Sequence, residues 1–224
     1  MASVIFVGAY AYAREVLEAF PEAPRVIFTE GPGEPRWQDV SDVWPDVPVH
    51  RRPPKLLDLV RSDLVIVAGW RRLVPIGTPT VGFHSAKLPE YPGRAPVANA
   101  ILRGDPSITN TMLWLDDGVD TGDIIDEWEF PLAGRNPDDV YREIGYTSAE
   151  MLQQHWDGLL DGTAPRRKQD VSKRGPLTPA DAWEKLNDPG FMNYIDGYLD
   201  CGCGSWHHGA WGCCECECHR EALP

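Results

Sequence analysis

The chain has 224 residues, 42% of them hydrophobic, enough to bury a sizeable core and too apolar for a wholly disordered polymer. Its formal net charge is −13, from 34 acidic and 21 basic residues, which argues against a broad nucleic-acid or anionic-membrane surface. No apolar run approaches the roughly 18–20 residues of a membrane span, and Met1–Tyr10 lacks a basic n-region. The expectation is a soluble cytoplasmic protein with neither membrane nor nucleic acid as partner. All six cysteines fall between Cys201 and Cys218, which leaves no disulfide framework to read in the main domain.

In chain order, Ser3–Val7 is a short apolar run ending in Gly8, read as a first buried strand. Ala13, Val16, Leu17 and Phe20 recur at helical spacing. Arg25–Thr29 predicts a second strand and Glu30–Pro45 a loop; Val47–His50 predicts a short strand and Pro54–Arg61 a short helix. Leu64–Ala68 is the next strand, ending in Gly69-Trp70. Thr80–Phe83 delivers His84 at its end; a Pro/Gly-rich turn and a helix from Ala95 to Leu102 follow. Thr109–Leu115 leads into the acidic loop Asp116–Gly122, and Ile125–Leu132 reads as the last strand. Asn136-Pro137 opens a long helix with a capping residue and Pro in the first turn, apolar from Val140 to Leu159 on one face, with Gly162 as its stop. His155 on this helix reads as an ordinary boundary residue.

Strands alternating with helices predict an α/β class, a doubly wound, mostly parallel Rossmann-like sheet with ligands at the carboxyl ends of its strands. The run Gly8-Ala9-Tyr10-Ala11-Tyr12-Ala13 has one glycine where a dinucleotide fingerprint wants three, so Gly8 reads as a turn glycine.

A histidine at a strand end and an aspartate in a tight glycine loop make a plausible acid/base pair, here His84 and Asp120. In order along the chain stand His84, Leu88-Pro89, Gly93, Pro96, Ala100-Ile101, Gly104 and Asp120-Thr121-Gly122-Asp123-Ile124. This pattern resembles the folate-dependent formyltransferases: the glycinamide ribonucleotide, methionyl-tRNA and amino-sugar N-formyltransferases. The resemblance implies a formyltransferase-like sheet, 10-formyltetrahydrofolate as co-substrate, and His84 and Asp120 as catalytic groups. It also implies an asparagine two residues before the histidine, where this chain has Gly82. Asn110 or Asn99 is a nearby amide that could replace it, Asn110 being preferred because its strand should lie beside that of His84. The other readings of Gly82 are a donor group other than formyl, or lost transfer activity.

In the same family the loop after the Leu64–Ala68 strand helps hold the pterin. Trp70 and Leu73 are the candidate apolar wall, and Arg71 or Arg72 the candidate partner of the folate glutamate or a substrate phosphate. Asp117 and Gly118 are assigned to the same cofactor-binding side. The expected reaction is formyl transfer to the amine of a small substrate, with a nucleotide-linked amino sugar as one candidate. A formyl-folate hydrolase and a non-catalytic, metal-stabilised binding protein are the alternatives. Methionyl-tRNA members continue into a C-terminal barrel, and the residues after Gly162 lack clear strand periodicity, so tRNA is not the expected substrate.

The expected organisation is a catalytic domain over 1–165, a linker with a short helix over 166–200, and a Cys/His-rich appendage over 201–219. Arg166 to Arg174 is a basic run, read as a solvated loop, with neutralisation of a substrate phosphate or of a nucleic acid as the other reading. Thr178–Asp181 looks like a helix start. In the tail, Cys201, Cys203, Cys213, Cys214, Cys216, Cys218 and His219 bring soft ligands together, and tetrahedral zinc is the leading reading. Pairs separated by a single residue are not standard finger spacing; a disordered or redox-active tail is the alternative.

Overall fold

The computed structural model describes residues 2–32, 36–132 and 135–175. The expected helix start at Thr178 and the whole proposed zinc tail lie outside these residues.

Seven strands form one sheet in the order β3-β2-β1-β4-β5-β6-β7. The strands β1 (Val4–Gly8), β2 (Val26–Thr29), β3 (Val49–Arg51), β4 (Leu64–Ala68) and β5 (Thr80–His84) pair in parallel. The last two, β6 (Ser107–Trp114) and β7 (Ile124–Pro131), run antiparallel to their neighbours. The parallel strands β1, β2 and β4 are buried along their whole length, as near-continuous apolar runs such as LVIVA require.

Strand alternation sends Val4, Phe6, Ile27, Leu64, Ile66, Val81, Met112 and Trp114 to one face, where helices α1 (Ala13–Glu18) and α4 (Pro137–Asp161) cover them. Ile5, Val7, Val26, Phe28, Val65 and Val67 point to the other face, against Leu59. Leu59 ends helix α2, which spans only Leu56–Leu59, shorter than the expected Pro54–Arg61. Lys55 before it is extended, at ψ 160, and its N–H donates to the Asp58 carboxylate at 2.7 Å, so the helix cannot begin earlier. Helix α3 spans Pro96–Arg103. The long helix α4 starts as its sequence predicts: Asn136 accepts from the Asp139 N–H at 2.9 Å, Pro137 follows, and Gly162 closes the helix at φ +79.

The segment 164–175 is a strap rather than a free basic loop. Arg167 exchanges both backbone hydrogen bonds with Ile124, and the Pro165 carbonyl accepts from Trp114 Nε1 at 3.0 Å. The guanidinium of Arg166 lies 4.0 Å from the Trp114 ring centroid, Lys168 pairs with Asp123 at 2.9 Å, and Arg167 pairs with Glu127. The basic run therefore neutralises the acidic strand and loop beside it.

Candidate active site

The parallel strands β1, β4 and β5 release Gly8, Gly69-Trp70 and His84 at one edge of the sheet, with Gly8 opposite Ala68 and Val67 opposite Gly82. Gly69 takes φ +53, and a Cβ there would lie 1.7 Å from the Tyr10 carbonyl oxygen, so the two loops close on each other only because that residue is glycine. Its own carbonyl accepts from the N–H of Tyr10 at 2.9 Å.

His84 is buried. Its Nε2 lies 2.8 Å from the Tyr91 carbonyl oxygen, and since a carbonyl only accepts, Nε2 carries a hydrogen. The other ring nitrogen, Nδ1, faces Asp120 Oδ2 at 3.6 Å, too long for a direct hydrogen bond. The same Oδ2 accepts from the Gly93 N–H at 2.8 Å. One turn thus holds both catalytic candidates, His84 through the Tyr91 carbonyl and Asp120 through the Gly93 N–H.

Asp120 reaches His84 by a return path. Because β6 is antiparallel, Trp114 lies opposite Val81 and the Leu115 N–H donates to the Thr80 carbonyl at 2.7 Å, at the start of β5. The loop must then run back toward the end of β5, and it is tightly wound. Asp116 Oδ1 accepts from the Gly118 N–H at 3.0 Å and the Thr121 hydroxyl at 2.5 Å. A Cβ on Gly118 would meet Thr121 Oγ1 at 2.0 Å, and one on Gly122 would meet the Trp114 carbonyl oxygen at 1.6 Å. Asp120 itself takes φ +52, a region that Asp tolerates better than most residues.

Two side chains that sequence reasoning missed hold this loop. Gln169 Nε2 donates to the Asp120 carbonyl at 3.0 Å and to the Gly122 carbonyl at 2.7 Å. Arg174 donates to the Val119 carbonyl at 2.6 Å and to that of Asp120 at 3.3 Å. A lone glutamine in a basic run carries no sequence signal for such a role.

The Asn110 assignment is corrected. Its Nδ2 donates to the Ile144 carbonyl at 3.2 Å, Thr147 Oγ1 at 2.9 Å and Ser148 Oγ at 2.8 Å, all on α4. Strand alternation explains the placement: Thr111 pairs with His84 and shares its face, so Asn110 points to the opposite face. The other candidate amide, Asn99, donates to the Arg94 carbonyl at 3.0 Å, and position 82 itself carries only a hydrogen. A Cβ there would come within 2.9 Å of Leu115 Cδ2, so Leu115 already fills that space.

Trp70 packs on the β1–β4 apolar cluster together with Val74 and Leu115, while Leu73 is 80% exposed and lies outside that cluster. The indole N–H of Trp70 is buried without a partner. Arg71 lies over the Tyr10 ring, 4.4 Å from its centroid, and Arg72 pairs with Glu30 at 2.7 Å. Asp117 is exposed in the acidic loop, next to Gly118. Behind the site, the Tyr12 hydroxyl donates to the Phe83 carbonyl at 3.3 Å. Burial pushes it up to about 12, against the opposing pull of hydrogen bonds with Ser85 and Gly69. Among the described residues no cluster of three or more His, Cys, Asp or Glu side chains is placed to hold a metal ion, and no helix is long and apolar enough to cross a membrane.

Residues 50–153 match the Formyl transferase family. A methionyl-tRNA formyltransferase of Salinispora arenicola is 31% identical over 168 residues, covering 69% of this chain and 54% of the relative. The chain spans about half the length of the curated relatives it matches. A 4-N formyltransferase structure from Francisella tularensis superposes with TM-score 0.66 at 17% identity, over 87% of this chain and 86% of the other. An N-formyltransferase of Helicobacter canadensis, solved in complex with folinic acid and dTDP-3-aminofucose, gives TM-score 0.64 at 18% identity, over 78% and 70%. The motif residues His84, Gly93 and Asp120, brought together on the fold these structures share, all lie within residues 50–153, the stretch over which the chain resembles the Formyl transferase family.

Proposed function

We propose that this chain moves a formyl group from 10-formyltetrahydrofolate to the amine of a small substrate, with a nucleotide-linked amino sugar as the substrate class. The observation that carries the reading is His84 Nδ1 facing Asp120 Oδ2 at 3.6 Å at the mouth of β5, a gap that one reacting group or a water can bridge. The Helicobacter complex with an aminofucose nucleotide supports the acceptor class.

The residues present fit a flat, hydrogen-bonding ring. Trp70, Val74 and Leu115 offer an apolar wall on the face that carries His84, and the unpartnered indole N–H of Trp70 offers a donor. The exposed guanidinium of Arg71 and the backbone of Asp117 and Gly118 remain the candidate contacts for the rest of the folate.

In this reading the amine nitrogen bonds to the formyl carbon and the carbonyl oxygen gains charge, which a protonated Nδ1 of His84 stabilises by donation. Asp120, directly or through water, accepts the proton the amine must lose, and the departing folate nitrogen regains one as its bond to the formyl carbon breaks. Removing a donor of this kind costs roughly 2.7–4 kcal/mol of transition-state stabilisation. The Tyr91 carbonyl orients the imidazole by fixing Nε2.

Incubation with 10-formyltetrahydrofolate and a panel of amines, nucleotide-linked amino sugars included, tests the proposal. Amine-dependent release of tetrahydrofolate with a formylated product is expected. Amine-independent release would make the chain a hydrolase, and no release would overturn both readings.

A further inference from the structure

We infer that Gln169 and Arg174 are positioning residues, which set the carboxylate of Asp120 against His84 by gripping the backbone of its loop from outside the site. The inference rests on the proposed role of the His84–Asp120 pair.

Asp120 has φ +52, a conformation that a residue with a Cβ rarely keeps unless its surroundings impose it. The loop's own bonds, from Asp116 to Gly118 and Thr121, close its start and finish but leave the carbonyls at its tip unspent. Among the described residues those carbonyls, of Val119, Asp120 and Gly122, accept from side chains of the strap alone: two bonds from Gln169 Nε2 and two from the Arg174 guanidinium. Arg174 adds a charge-assisted pair, the stronger kind.

The strap can act as a brace because both its ends are tied. Arg167 is laddered to Ile124 at one end, and the Gly175 N–H donates to the Pro89 carbonyl at 3.1 Å at the other. A Cβ on Gly175 would lie 2.0 Å from the Glu90 carbonyl oxygen, so this end is pressed against the turn that holds Tyr91 and Gly93. One short segment therefore ties the Asp120 loop to the turn that receives His84 Nε2 and offers Gly93 N–H to Asp120. Neither Gln169 nor Arg174 touches the imidazole or the Asp120 carboxylate, which separates this role from catalysis.

The test replaces both donors with apolar side chains of similar length, Gln169→Met and Arg174→Met, singly and together, with Arg174→Lys as the conservative variant. The amide resonance of Gly93 reports directly on its bond to Asp120 Oδ2, and Asp120→Ala supplies the reference for its loss. The double variant is expected to move the Gly93 amide toward the Asp120→Ala position and to speed its hydrogen exchange. Turnover should fall about tenfold to a hundredfold, with KM for the formyl donor within about threefold. Arg174→Lys should recover part of both. If the double variant fails to fold, Gln169→Met alone carries the same two readouts. A Gly93 amide left at its wild-type position overturns the inference, whatever the rate does. A displaced amide in a protein that shows no formyl transfer in any variant would leave the brace standing and refute the proposed function instead.

Discussion

Leu115 occupies the space that a side chain at position 82 would enter: a Cβ on Gly82 would come within 2.9 Å of Leu115 Cδ2 and 3.1 Å of its Cδ1. The two residues meet because the antiparallel β6 ends beside the start of β5, and the acidic loop sets off across Gly82 on its way back to His84. Gly82→Asn alone is therefore expected to overpack the site, destabilising the protein by about 1–3 kcal/mol. Gly82→Asn with Leu115→Ala should recover most of that loss and raise turnover about tenfold or more if the new amide reaches the formyl oxygen. Thermal melts and initial rates decide. A double variant slower than wild type would show that the apolar contact, and not a missing donor, is what this site uses.

His84→Ala and Asp120→Ala should each lower kcat/KM by about a hundredfold to a thousandfold. The imidazole hydrogen-bonds the Tyr91 carbonyl and the carboxylate accepts from the Gly93 N–H, so melting temperatures should move by only a few degrees. Losses of activity within a few-fold of wild type would remove the pair from the mechanism.

Asn110→Ala is expected to behave in the opposite way. Its amide ties β6 to Ile144, Thr147 and Ser148 of α4 inside the core. Loss of a buried hydrogen-bonding group costs about 1–3 kcal/mol. Denaturant unfolding should register that cost while kcat stays within a few-fold. A collapse of kcat at unchanged stability would restore Asn110 to the reaction.

Tyr12→Phe tests the buried hydroxyl behind the site. At neutral pH the variant should lose about 0.5–1.5 kcal/mol, the worth of the bond to the Phe83 carbonyl. The pH dependence has a definite sign. The Tyr12 hydroxyl is raised from 10.0 to about 12, so above pH 10 the unfolded chain releases that proton while the folded chain still holds it. Wild-type stability should therefore fall between pH 10 and 12 by more than that of Tyr12→Phe, and the gap between the two should close across that window. A constant gap would mean that Tyr12 titrates normally.

The strands were legible where burial dictated their composition. The apolar runs of β1, β2 and β4 can only be strands buried on both faces, and His84 stood out because a polar residue ended such a run. The glycines at 118 and 122 marked a tight loop, and close approaches of 2.0 and 1.6 Å account for both. Asn110 was misplaced because adjacency of strands does not determine side: a shift of one residue in register turns a side chain to the other face. Gln169 and Arg174 were invisible because they act on backbone carbonyls, which any sequence supplies.

The hydrogen bond from His84 Nε2 to the Tyr91 carbonyl leaves the imidazole with a single open port. An imidazole with both nitrogens accessible can take up a proton on one side and pass it on from the other. In the proposed reaction, a proton that leaves Nδ1 would be replaced at Nδ1, beside the Asp120 carboxylate, before the next turnover. On that reading, traffic through the site is two-way on one lane, with the aspartate at its entrance.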